Sequence, residues 1–197
     1  MIAIIDYGVG NLRSVEKGLE YVGASAMVTK EPSEIEKAEA IVLPGVGAFE
    51  SGMEKIAPLK NVILERAKEG TPLLGICLGM QMLFEESDEG GLHKGLGLVK
   101  GRVARFTNVS KVPHMGWNSL SITKQHPLLY DIPENAFVYF VHSYRADVCE
   151  HTVASADYGG EFTAVVANDN VVGTQFHPEK SGDLGLRMLK NFANMIG

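Results

Sequence analysis

Two stretches of the 197-residue chain hold side chains suited to breaking an amide bond. The first, Leu73-Leu74-Gly75-Ile76-Cys77-Leu78-Gly79-Met80-Gln81, frames a cysteine with glycines two residues away on either side, between an apolar run and a helical pattern. This is the cysteine form of a nucleophile elbow. The glycines permit a sharp strand-to-helix turn and are expected to keep side chains clear of a substrate. A cysteine at a helix N-terminus is biased towards the thiolate, the attacking form, and the next amide, that of Leu78, is placed to meet an oxyanion. A cysteine nucleophile also needs a base and a group to orient that base. His177 and Glu179, in Phe176-His177-Pro178-Glu179-Lys180-Ser181, supply both types. Positions two apart in an extended segment face one side, and Pro178 restricts the local backbone, so the pair can be held together. Taken singly, Cys77 fits a small core residue and His177–Glu179 a surface pair; their coincidence makes the case for a site. Cys149 has no glycine frame and reads as structural.

The elements that must position these groups follow from periodicity. Ile2 to Ile5, Ala26 to Thr29, Ala40 to Leu43 and Pro72 to Ile76 read as buried strands alternating with helices, the pattern of an α/β domain with a mainly parallel sheet. Asn11 is expected to cap a first helix whose apolar face is Leu12, Val15, Leu19 and Val22, ending at Gly23. Pro32 and Ser33 open a short second helix, and Pro58 sits in the first turn of another. Pro44-Gly45-Val46-Gly47 is expected to be a turn. Beyond Gly101 the pattern becomes strand-like, around Val103, Leu120, Phe137 to Val141, Val153, Phe162 to Ala167 and Val171 to Phe176. A closing helix runs from Gly182 to Ile196.

Composition bounds the function. Hydrophobic residues make up 45% and charged residues 21%, an ordinary globular balance. Lys and Arg number 18 against 24 Asp and Glu, for a net charge of −6, and no basic block offers a nucleic-acid or anionic-membrane surface. The longest stretch free of charge, Gly70 to Phe84, holds 15 residues, fewer than the roughly 20 that span a bilayer. The start has no basic region before its apolar run, which Asp6 interrupts, so no signal peptide is expected. With only Cys77 and Cys149, far apart and in no C-x-x-C pattern, no disulfide framework is expected and a reduced, cytoplasmic setting is favoured. The five histidines besides His177 show no metal-ligand spacing, and Asp6-Tyr7-Gly8-Val9-Gly10-Asn11 lacks the full dinucleotide fingerprint. Neither a metal nor a cofactor is expected, and the whole chain reads as one domain.

With these residues in view the chain resembles the class I (triad) glutamine amidotransferases, whose members carry a cysteine in G-x-C-x-G and a distant His-Pro-Glu. Within that family it is most similar to the glutaminase subunits that serve histidine biosynthesis by feeding ammonia to a separate cyclase. The resemblance runs the length of the chain: Asp6 to Leu12, Leu43 to Phe49, Gly75 to Gln81, Pro113 to Asn118, Tyr139 to Tyr144 and Phe176 to Ser181. No triad position departs from the pattern. The implied fold is flavodoxin-like, an open mixed, mainly parallel sheet flanked by helices.

The implied chemistry is hydrolysis of L-glutamine to glutamate and ammonia through a Cys77 thioester, with His177 relaying protons and Glu179 orienting it. The oxyanion would be held by the amide of Leu78 and a second amide from Val46 or Gly47. Gly47, Gln81, Ser143 and Tyr144 match glutamine-binding positions. The implied partner is a (β/α)8-barrel cyclase in a heterodimer, with Asn11, Ser14, Met115, Trp117 and Lys180 as contact residues. Rotation of a peptide between Gly45 and Gly47 is expected to link partner binding to the oxyanion site. A length filled by a glutaminase leaves the use of ammonia to a second chain. Two other readings stay open from the residues alone: a self-contained cysteine hydrolase, active without a partner, and a non-catalytic subunit in which Cys77 is core.

Overall fold

The computed structural model describes residues 1–107 and 109–196. Its first half alternates strand and helix: β1 (Ile2–Ile5), α1 (Leu12–Tyr21), β2 (Ala26–Thr29), α2 (Pro32–Lys37), β3 (Ala40–Gly45), α3 (Phe49–Ile56), α4 (Lys60–Lys68), β4 (Leu73–Cys77) and α5 (Leu78–Leu83). Strands then dominate: β5 (Phe84–Ser87), β6 (His93–Lys94), β7 (Val99–Arg105), β8 (His114–Ser119), β9 (Ser121–Ile122), β10 (Phe137–His142), β11 (Tyr144–Ala146), β12 (Thr152–Asp157), β13 (Glu161–Asn168) and β14 (Val171–Thr174). Helix α6 (Gly182–Ala193) closes the order.

Eight strands form one sheet in the order β2-β1-β3-β4-β14-β13-β12-β9. The pairings from β2 through β14 are parallel and those from β14 to β9 antiparallel, so the sheet is mixed, as expected. The central parallel strands β1, β3 and β4 are apolar and buried throughout because both faces are covered. One layer packs Ile2, Ile4, Val42, Leu74 and Ile76 against Leu19 of α1 and Met188, Leu189 and Phe192 of α6. The other packs Ile5, Ile41, Leu43 and Leu73 against Phe49, Ile56 and Ile63. Two small sheets lie beside this body: the β8–β10 pair and a four-stranded sheet ordered β11-β7-β5-β6.

Several local expectations are corrected. Asn11 makes no side-chain cap for α1, whose first amides from Ser14 and Val15 bond instead to the Asn11 carbonyl. Pro44 and Gly45 are the end of β3, bonded alongside Ile76 and Cys77, so the turn begins only at Val46. Pro58 lies in a separate 3-10 turn ahead of α4, and β14 ends at Thr174 rather than Phe176. Helix α3 and the β5–β6 hairpin arise where no element was read.

Candidate active site

Cys77 terminates β4 with φ 53° and ψ −106°, a backbone shape that costs a non-glycine residue about 1–3 kcal/mol. The close packing around it holds the strain. A Cβ on Gly79 would lie 1.7 Å from the Leu43 carbonyl oxygen, and one on Gly75 would lie 2.7 Å from the backbone of Gly79 and Met80. The two glycines therefore let the elbow fold tightly on itself and on β3. Neither lines the substrate side, which corrects the expectation that they clear space for a ligand.

A cleft of about 350 Å³ opens over the elbow, at the small end of the range for small-molecule sites. Val46, Gly47, Cys77, Leu78, Gln81, Ser143 and Tyr144, all expected at the site, line it together. Gly47, at φ 110°, adopts a backbone that favours glycine and has open space around it, whereas a Cβ on Gly45 would lie 2.3 Å from the Tyr7 hydroxyl. That hydroxyl donates to the Pro44 carbonyl at 2.7 Å. Freedom in this turn is thus confined to the Val46–Gly47 side, and Gly45 is clamped. Burial, followed by the nearby Cys77, pushes the Tyr7 hydroxyl pKa up, so it stays a donor.

His177 and Glu179 lie out of water, their side chains 2% and 1% exposed, with Nδ1 and Oε1 2.8 Å apart. They meet by a different route from the one expected. His177 is extended (φ −98°, ψ 98°), but Glu179 sits in a 3-10 turn from Pro178 to Lys180 that swings its carboxylate back under the ring. The ring is pinned from behind: the His177 amide donates to the Tyr139 carbonyl, and the Ser181 hydroxyl donates to the His177 carbonyl at 2.6 Å. With Nδ1 given to Glu179, Nε2 is buried and makes no hydrogen bond among the described residues. Burial pulls the His177 pKa down. The Cys77 sulfur in its anionic form and the Glu179 carboxylate together outweigh it and push the value up to about 9.

Sequence reasoning missed several residues here. Gln175, fully buried, points Nε2 at Cys77 Sγ (3.8 Å) and accepts from Gln81 Nε2 (3.1 Å), which also donates to the Tyr144 carbonyl (2.9 Å). The signal for Gln175 was its place two residues before His177 in a strand-like run. Glu89, the sole acid among the described lining residues, accepts from the Phe49 amide at 2.8 Å, and its loop gave no signal. Pro113, Val141 and His142 complete the wall.

The expected contact residues lie outside the cleft. Met115 and Trp117 are 61% and 55% exposed on one face of β8, with Phe137 (58%) and Tyr139 beside them on β10. Asn11 and Lys180 are exposed and Ser14 half-buried.

The model of the glutamine amidotransferase class-I family matches residues 3–196. The chain belongs to that family. Its relatives narrow the placement: the imidazole glycerol phosphate synthase subunit HisH of Methanosarcina acetivorans is 57% identical, over 98% of each chain. The same subunit of Methanocaldococcus jannaschii is 49% identical over 100% of both, and that of Syntrophotalea carbinolica 50% identical over 99% of this chain and 100% of its own. The chain is thus a glutamine amidotransferase of the branch that holds these HisH subunits. Among solved structures, the fold of PurLQS from Thermotoga maritima superposes with a TM-score of 0.76 at 23% identity, over 100% of this chain and 98% of that one.

Proposed function

We propose that this chain, as one glutamine amidotransferase domain, hydrolyses L-glutamine at the Cys77–His177–Glu179 triad and delivers the ammonia to a cyclase subunit. The observation that carries the reading is the convergence of a strained cysteine on the cleft wall with a buried, Glu179-bound His177 whose ring interacts with Cys77 from behind that wall.

Cys77 Sγ, its proton passed to His177 Nε2, attacks the side-chain amide carbon of glutamine, and the carbonyl π pair moves onto oxygen. The charge that develops on oxygen falls between the Leu78 amide, at the start of α5, and an amide of the Val46–Gly47 turn. His177, protonated at neutral pH, gives its Nε2 proton to the departing ammonia, leaving a γ-glutamyl thioester. The neutral ring then takes a proton from water, whose oxygen attacks the thioester and releases glutamate. Glu179 holds Nδ1 throughout, so the ring cannot turn away. Gln81, Ser143, Tyr144 and Gly47 bound the substrate, and Glu89 is the acid available to its α-ammonium group.

The relatives' name makes them subunits of imidazole glycerol phosphate synthase, which supports a complex with a cyclase subunit for this chain. Met115, Trp117, Phe137 and Tyr139 form an exposed apolar face at the edge of the cleft wall, where Val141 continues β10. That face, with Asn11, Ser14 and Lys180, would dock a (β/α)8-barrel cyclase that makes imidazole glycerol phosphate and AICAR from the ammonia. Among the described residues no helix is long and apolar enough to cross a membrane, and the proposed setting is the cytoplasm. The test is mass spectrometry after exposure to a chloroketone analogue of glutamine. A single adduct on Cys77, blocked by excess glutamine, is expected; labelling of Cys149 alone would refute the site.

A further inference from the structure

His114 and His142 stand directly opposite one another across the β8–β10 pair, with His114 Nδ1 3.0 Å from His142 Nε2. Both are buried, and only His142 reaches the cleft. The direction of every bond in this cluster is fixed by backbone groups at its two ends. At one end His142 Nδ1 lies 2.8 Å from the Tyr144 carbonyl, which only accepts, so Nδ1 carries the proton. In a neutral ring Nε2 then accepts, and His114 Nδ1 must donate to it. His114 Nε2 is left as an acceptor for Asn118 Nδ2 at 3.3 Å. At the other end the Asn118 amide is fixed the same way, because Nδ2 also donates to the Asp157 carbonyl and Oδ1 accepts from the Ser119 amide.

The surroundings keep both rings neutral. His114 is stacked between Phe140 and Tyr158 (centroids 4.8 and 4.2 Å), and His142 lies against Phe106 and Phe162 (5.2 Å each). Burial lowers His114 to about 4. It lowers His142 to about 3, with the Tyr144 carbonyl opposing and His114 and His177 adding to the effect. The Tyr144 carbonyl that ends this chain is also the one Gln81 holds, and Gln81 leads through Gln175 to Cys77.

We propose that His114 and His142 are positioning residues of the glutamine pocket, a one-way hydrogen-bond chain from Asn118 that fixes the Tyr144 carbonyl and, through Gln81 and Gln175, the wall beside Cys77. The proposal rests on the glutaminase reading. It also ties that wall to β8, whose outward side chains Met115 and Trp117 lie on the proposed docking face.

The experiment measures KM and kcat for glutamine, in the complex with the cyclase, for wild type, His142→Leu, His142→Asn and His114→Leu. Losing the bond to the carbonyl should raise KM about tenfold in His142→Leu, with a smaller effect on kcat. His142→Asn, whose amide can still reach the Tyr144 carbonyl, should recover part of the loss, and His114→Leu should share it. Alongside, 15N chemical shifts of the wild-type rings should report both as Nδ1–H tautomers between pH 6 and 8, where pH is about neutral. Unchanged KM in the Leu variants, no recovery with Asn, or an Nε2–H tautomer at His142 would overturn the proposal. A wild-type complex that makes no glutamate would instead overturn the glutaminase reading, and the tautomers would then decide the chain's direction alone.

Discussion

The backbone amide of His177 donates to the backbone carbonyl of Tyr139 at 3.0 Å. The proposed base is therefore hung from β10, a strand whose outward side chains Phe137 and Tyr139 lie on the apolar face. Tyr139 packs edge-on against Trp117 with ring centroids 6.1 Å apart, so a partner docked on Trp117 as proposed would press on the strand that holds that ring.

Trp117→Ala should follow from that arrangement. Trp117 is 55% exposed, so its removal should change stability by less than about 1 kcal/mol. Stimulation of glutaminase activity by the cyclase should fall about tenfold, as expected for an aromatic anchor. Denaturant unfolding and a titration with the cyclase separate the two effects; equal loss in both would make Trp117 a core residue.

Glu179→Gln keeps the shape of the triad and removes the charge that orients and favours imidazolium at His177. Turnover should drop by roughly 10²–10⁴-fold, the range for misplacing an acid–base group. Steady-state kinetics check the drop, and retained folding is checked by circular dichroism.

The pH dependence has a definite sign. His177 titrates in the folded protein at about 9, above its ordinary 6.5, so its protonated form is favoured by folding. Its contribution to stability is complete below about 6.5 and disappears as pH rises through about 9. Activity should fall over the same alkaline limb, because the donor to ammonia is lost. In Glu179→Gln that limb should move to lower pH, since one of the two contacts holding the proton has gone.

Two glycines should respond oppositely. Gly79→Ala drives a Cβ into the Leu43 carbonyl and should cost about 3 kcal/mol or more, read by chemical unfolding. Gly47→Ala meets no neighbour but must hold a positive φ, so it should cost only about 1 kcal/mol. Its larger effect should be on partner-stimulated turnover, because the Val46–Gly47 turn borders the oxyanion position.

The parts of this architecture governed by local pattern were legible in the chain. The apolar runs of β1, β3 and β4 and the glycine-framed Cys77 announce themselves because each obeys a short-range rule. Glu179 was legible as a residue but not as a geometry, since only the 3-10 turn after Pro178 explains how it reaches Nδ1. Gln175, Glu89 and the His114–His142 pair were not legible as site groups. Each depends on a contact across 28 to 98 positions, which no local spacing encodes. The failed cap at Asn11 has a local origin instead: propensity named the residue, but its backbone (φ −92°, ψ 65°), following Gly8 and Gly10 at positive φ, is not the extended shape of a capping residue.

If Cys77 is the nucleophile of a partner-stimulated glutaminase, glutamate release from glutamine decides it, followed with and without the cyclase and its nucleotide ligand for wild type and Cys77→Ala. Slow release by the isolated wild type, a marked rise in the ligand-bound complex and no release by Cys77→Ala in any condition are the predicted results. Release retained by Cys77→Ala, or none from the wild-type complex, would contradict the account.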